Sequence, residues 1–275
     1  MPTRFRVVAL AALAVCLAAP ALAQETAAPP ALTRAQMADF LLHAKIVKHK
    51  ALSKGVTKPT KVTLSDGTTT HDAVFQSVDQ TLQRQTFADG RIEMYFRDSY
   101  HYNIAAYRIA ELVGMADMLA VTVEREWEGR KGSLAWWIDW TWDEQMRRKQ
   151  NLEPPPDQRL RYSNDLHLSR VLGQLVYDTD RNQTNTLISA DWRLYMVDFT
   201  RAFRTSDKLL HAESIQRCSR EVLAGLEALT RESITAAAGD HLEPAGITGL
   251  LKRRDRIVER IRQLVKERGE KSVLF

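Results

Sequence analysis

The sequence predicts an α+β protein in two lobes, the first rich in strands and the second in helices. Three observations predict it. Between residues 58 and 142, strand-like runs are punctuated by turn formers: Asp66-Gly67, Asp89-Gly90 and the stretch 128–132. From residue 143 onward, apolar residues recur mainly at helical spacing. Within that second half a polar run, 178–185, is followed by two short strand-like runs that read as one small hairpin.

The chain has 275 residues and a formal net charge of +5. Arg4 and Arg6 precede an apolar run, 7–19, and Ala21-Leu22-Ala23 has the small-x-small form of a cleavage site. Residues 1–23 therefore read as a secretory signal peptide of bacterial style, too short to span a membrane. Cys16 follows Val15, where lipid attachment expects a small residue. Residues 24–32, with Pro29-Pro30, read as a linker, and the signal peptide makes the expected location periplasmic or secreted. Loss of both arginines leaves about +3, no argument for nucleic acid. Cys218 is then the sole thiol, so no internal disulfide is expected. No further apolar span follows, so no transmembrane segment is expected.

The first lobe is assigned to residues 33–142. Residues 33–49 read as a helix capped by Thr33, with Phe40, Leu41, Ala44 and Val47 near one face. Lys45, Lys48, Lys50 and Lys54 make a basic cluster, read as a solvated face or a phosphate contact. Strands are expected at 61–65, 68–78, 91–97, 118–127 and 133–142, with a helix at 103–113 stopped by Gly114. If 133–142 is one strand, Trp136, Trp140 and Trp142 share a face, either as a packed aromatic wall or as a ligand-stacking platform.

The second lobe is assigned to residues 143–275. Pro154-Pro155-Pro156 breaks a first helix. A second helix carries Leu168, Val171, Leu172, Leu175 and Val176 into the polar run. Further helices are expected near 209–218, 220–229 and 243–268. The last carries Ile257, Val258, Ile261, Leu264 and Val265 on one stripe opposite many basic residues. Packing on the lobe and peripheral contact with anionic lipid are the two readings of that helix.

The hairpin, with strands at 186–188 and 192–197, sets Asn185 beside Asp198, and Asp180 lies on the loop just before. Two carboxylates and a carboxamide are all-oxygen donors, the kind hard cations such as magnesium prefer. The alternative is turn chemistry alone, for which Asp, Asn and Thr are common. Arg201 and Arg204 follow Asp198. They face either a phosphorylated or acidic substrate, or Asp207 and Glu213 as structural partners. The seven histidines show no metal-binding spacing. His101, near Arg97 and Asn103, is either a site residue or a packed one. Nucleophile-elbow, Walker, dinucleotide and CxxC motifs do not occur, which removes the common hydrolase and oxidoreductase classes.

Asp180-Arg-Asn-Gln-Thr-Asn185 resembles the catalytic loop Asp-Arg-x-x-x-Asn of atypical kinases of the phosphatidylinositol 3-/4-kinase-like and HipA-like kind. Val197-Asp198-Phe199 resembles their metal-binding segment, and 103–123 and 132–136 look like their first-lobe helix and strands. The resemblance implies a two-lobe protein-kinase-like fold in an exported bacterial member, using ATP and Mg²⁺ on an unidentified hydroxyl acceptor or protein partner. It implies Asp180 as the base that takes the acceptor's proton, and Asn185 and Asp198 as magnesium ligands. It also implies nucleotide contacts from Arg97, from the turn at Gly67 and Thr68, and from backbone around Trp137. The chain departs from the pattern on that nucleotide side. Arg97 is the nearest candidate for the phosphate-gripping lysine, Asn103 stands where the helix acid would be, and Gly67 is the lone glycine of its turn. A pseudokinase acting as a binding or scaffold module is therefore the alternative.

Overall fold

A computed structural model describes Met1 and residues 32–52, 59–87 and 89–275. The expected signal peptide and most of the linker lie outside the described residues. Residues 33–275 form one compact unit, sheet-rich first and helical after. Among the described residues, no helix is long and apolar enough to cross a membrane.

Helix α1 (Arg34–His43) starts at Thr33, whose hydroxyl and the Gln36 side chain cap each other's backbone N–H groups. It ends earlier than the apolar spacing predicts. Residues from Lys45 instead form β1 (Lys45–Ala51), an edge strand paired only with β2 (Thr60–Ser65). Lys45, Lys48 and Lys50 of the expected basic cluster thus lie on an exposed strand edge, where lysines discourage pairing with another chain, and Lys54 lies outside the described residues. Arg125 bonds the Leu41 and Ala44 carbonyls at 2.6 and 2.7 Å and so closes the end of α1.

The main sheet has the order β1-β2-β3-β7-β6, with β3 Thr70–Gln76, β6 Thr122–Trp127 and β7 Arg130–Trp136, every pair antiparallel. Its inner face carries Val62, Leu64, Ala73, Phe75, Val123 and Leu134, all buried, alternating with outward residues as a half-buried sheet requires. A separate hairpin, β4 (Asp79–Thr86) with β5 (Ile92–Ser99), leads into α2 (His101–Leu112). Gly114 follows α2 at φ +74°, a left-handed conformation that suits glycine.

Strand β7 ends at Trp136, and Trp142 opens β8 (Trp142–Asp143) in a second sheet of order β10-β9-β8, with β9 Thr186–Ile188 and β10 Leu194–Met196. The tryptophans therefore form no single wall. Trp136 stacks on His71 at 3.8 Å between ring centroids, whereas Trp142 meets Trp192 at 5.2 Å.

The helical part comprises α3 (Glu144–Lys149), α4 (Arg159–Val176), α5 (Arg220–Ala228), α6 (Arg231–Ala238), α7 (Pro244–Arg268) and α8 (Glu270–Val273). The region 209–218, expected to be helical, holds only a 3₁₀ turn at Ala212–Ser214. Helix α7 buries Ile257, Val258, Ile261 and Leu264. Its apolar stripe is used in the core, and its solvent face carries Asp255, Glu259 and Glu267 among the basic residues.

Candidate active site

The site begins where α4 stops. Tyr177, at φ +53°, turns the chain out of the helix, and the loop 178–185 follows. The hairpin forms as the sequence predicts, with β9 (Thr186–Ile188) and β10 (Leu194–Met196) paired in the register Met196↔Thr186. One further bond, from Val197 N–H to the Asn185 carbonyl at 3.1 Å, puts Val197 opposite Asn185, so Asp198 lies one residue beyond. Asp198 has φ +60° and Phe203 φ +58°, conformations that cost a non-glycine residue energy and concentrate at functional sites.

Arg181 organises the loop. It pairs with the Asp178 carboxylate, which is fully buried, and donates to the carbonyls of Asn185 and Val197 at 2.6 and 2.8 Å. Its guanidinium also stacks on the Phe199 ring at 4.5 Å. Asn185 donates its side-chain amide to the Asp180 carbonyl at 3.3 Å. Thr179 ties the loop to the Arg201 carbonyl at 2.9 Å.

The first lobe supplies a residue that sequence reasoning missed. Asp98, near the end of β5, is 8% exposed, and its Oδ1 has no hydrogen-bond partner among the described residues. Burial holds its carboxyl above the usual carboxylate range; the Thr200 hydroxyl opposes this, and Asp198 and Asp180 add to it. Burial likewise raises the Asp180 carboxyl, with Arg201 opposing and Asp198 and Asp178 adding. Arg201 comes within 3.7 Å of Asp180, and the Thr200 hydroxyl bonds Asp198 at 3.1 Å. Asp98, Asp180 and Asp198 thus act on one another's charge, although among the described residues their three carboxylates do not all lie within 4.8 Å of one another. Asp98 follows Arg97 in a strand whose polar residues gave no pattern, and only the folding of β5 against 198–201 reveals it. The Ser99 N–H to Thr200 carbonyl bond, 2.8 Å, fixes that contact.

Asn103 joins the lobes. Its amide donates to Gln76 and Ser133 at 2.7 and 3.1 Å, and its carbonyl accepts the Phe199 N–H. An uncharged residue at this position of α2 does its work by hydrogen bonding.

The expected nucleotide contacts are engaged within the protein. Arg97 pairs with Glu243 and stacks on Tyr102, rather than reaching toward Asp198. At the turn holding Gly67, the Thr68 and Thr69 N–H groups both donate to Asp66 Oδ1, at 2.8 and 2.7 Å. These N–H groups are thus engaged by a carboxylate of the turn itself. The turn also lies at the end of β3 opposite Gln76, whereas Gln76 is bonded to Asn103. Trp137 donates its N–H to the Asp72 carbonyl at 3.0 Å, and its own carbonyl meets His71 Nε2 at 3.2 Å. Arg201 and Arg204 pair with Glu93 on β5, while Asp207 pairs with Arg256 and Glu213 lies beside His211.

No family model matches this chain, and no curated protein matches it in sequence. Solved structures do match. The structure of hydra Fam20 with sugar superposes with a TM-score of 0.60 at 13% identity, covering 88% of this chain and 91% of that one. The Golgi casein kinase superposes with a TM-score of 0.58 at 15% identity, covering 88% of this chain and 77% of that one. At such identity the likeness is one of fold: the chain has a kinase-like two-lobe fold. The loop motif pointed to the phosphatidylinositol-kinase-like and HipA-like group, whereas these two structures support an atypical kinase-like fold without that finer placement.

Proposed function

We propose that this chain is an exported, divalent-cation-dependent phosphotransferase acting on a hydroxyl acceptor. The observation that supports the reading is that Asp98, Asp180 and Asp198 act on one another's charge, with the Asn185 amide bonded to the Asp180 backbone carbonyl, on a kinase-like fold. A magnesium-class cation fits these residues: every donor is oxygen, and Asp98 Oδ1 is a buried acceptor without a partner among the described residues. Asp198, Asn185 and Asp98 are the residues that would hold it. There the cation supplies charge neutralisation for a phosphoryl group in transfer.

The remaining work falls to the chain's own groups. Asp180 accepts the acceptor hydroxyl's proton, and its raised affinity for protons suits that role. Arg201, 3.7 Å from Asp180 and paired with Glu93, keeps the aspartate oriented. Arg181 holds Asn185 and Val197 in register, so the ligands on the loop and hairpin move together.

A second reading, a pseudokinase serving as a binding module, is favoured by a specific observation. Arg97, the Gly67–Thr68 turn and Trp137 are each occupied by partners within the protein. The test is incubation of the purified chain with γ-labelled ATP and Mg²⁺ beside Asp198→Ala and Asp180→Ala. Label transfer or hydrolysis well above both variants supports the phosphotransferase. Equal signal rejects it, and Mg²⁺-dependent thermal stabilisation without turnover then assigns the chain to the binding module.

A further inference from the structure

A second group of metal-ligating side chains lies outside the carboxylate site. His101 is the first residue of α2, Glu124 lies in β6, and His241 sits in the 3₁₀ turn Gly239–His241 between α6 and α7. One ligand atom from each lies within 4.8 Å of the others. His101 Nδ1 and His241 Nδ1 are 3.0 Å apart, and each is 3.9 Å from the same carboxylate oxygen, Glu124 Oε2.

These three separations define a triangle whose equidistant point lies about 2.1 Å from every corner, the bonding distance of zinc to imidazole nitrogen and carboxylate oxygen. The two Nδ1 atoms are too close for both to carry a proton. Either one proton bridges them, or both lone pairs face a cation. Two imidazoles and a carboxylate suit a zinc-class ion, whereas the all-oxygen set at Asp98 and Asp198 suits magnesium.

The surroundings orient the group. The Tyr100 hydroxyl donates to Glu124 Oε2 at 3.3 Å, and its ring stacks on His101 at 4.1 Å between centroids. Lys131 Nζ lies 3.8 Å from the other carboxylate oxygen, Oε1, and so leaves Oε2 to the histidines. Such outer partners fix ligand orientation in metal sites. The side chains of His101, Glu124 and His241 are 24%, 33% and 15% exposed, which leaves a route for an ion and a water as fourth ligand.

We propose that His101, Glu124 and His241 bind a zinc-class divalent cation that pins the start of α2 to the turn before α7. Asn103, two residues along α2, holds the Phe199 N–H, so the ion braces the helix that positions Asp198. The site is independent of phosphoryl transfer and stands or falls on binding alone.

The test is calorimetric titration of the chelator-stripped chain with Zn²⁺ in excess Mg²⁺, beside Glu124→Gln and His241→Ala. One equivalent is expected in the parent chain, with a higher melting temperature. Co²⁺ in place of Zn²⁺ is expected to give the visible bands of a four-coordinate, nitrogen-containing site. Each variant is expected to weaken binding at least as much as the roughly ten- to hundredfold cost of losing an outer-shell partner. Glu124→Gln conserves size and decides the matter should His241→Ala fail to fold. No binding by the parent chain overturns the proposal, as does equal binding by folded Glu124→Gln.

Discussion

The side-chain carbonyl of Asn103 accepts the backbone N–H of Phe199 at 2.8 Å, across the boundary between the two halves of the fold. The same side chain donates to Gln76 and Ser133, so one amide joins α2, two strands and the Asp198 segment. Asn103→Ala leaves a buried N–H unpaired, at a cost of about 1–3 kcal/mol. Urea denaturation is expected to show that loss. Mg²⁺ affinity is expected to fall with it, because the φ of Asp198 is no longer held.

Asp98 gives a pH-dependent prediction. Burial raises its carboxyl above the unfolded value, so the folded state keeps the proton to higher pH. The stability it contributes is complete below the unfolded value and is lost as pH rises through the folded one. In metal-free buffer at pH 7, Asp98→Asn is therefore expected to melt above the parent chain, with the gap closing toward pH 4. Mg²⁺ at a hundredfold its dissociation constant is expected to stabilise the parent chain by about 2.7 kcal/mol and the variant markedly less. An unchanged Mg²⁺ response in Asp98→Asn removes this residue from the cation site.

Arg181 holds the buried Asp178 and two carbonyls at once. Arg181→Met strands that carboxylate and is expected to cost about 3–5 kcal/mol in chemical denaturation. Arg181→Lys keeps the charge but lacks the planar fork. It is expected to fold with a smaller loss and to bind Mg²⁺ more weakly.

Glu144 at the start of α3 accepts from Arg147, Arg148 and the buried Tyr162 hydroxyl. Burial works against its charge, but these partners prevail and lower its carboxyl to about 2. A depressed acid contributes stability above its unfolded value and loses it as pH falls toward the folded one. Glu144→Gln is expected to cost about 3 kcal/mol at pH 7 and progressively less as pH falls from about 4.5 toward 2. Denaturation midpoints across that range check it.

Arg253 is fully buried on α7, yet it donates to carbonyls: Leu175 and Arg204 at 2.9 Å, and Ser206 at 2.5 Å. It closes the end of α4, where the loop 178–185 starts. Burial lowers its guanidinium to about 10, still charged at neutral pH. Arg253→Leu leaves those carbonyls unpaired and is expected to lower stability by about 3 kcal/mol. Hydrogen exchange is expected to rise first in residues 176–185.

Two lobes, the loop 178–185 and its hairpin were legible because local spacing sets them. Turn dipeptides punctuate the first half, and α4 and α7 repeat apolar residues at helical spacing over several turns. Strand β4 was not legible, because Asp79–Thr86 is polar and almost wholly exposed and is held only by pairing with β5. Strand β1 read as helix for a related reason: its lysines lie on an edge, where no buried face imposes alternation. By itself the sequence determined which oxygen-bearing side chains crowd the loop and hairpin and how far apart they stand along the chain. Tertiary structure alone decided that Asp98 lies beside the segment 198–201, that Glu243 takes Arg97 away, and that His101, Glu124 and His241 meet. Those partners are separated by up to 146 positions, and nothing in local spacing encodes a contact made only when two packed elements close on each other.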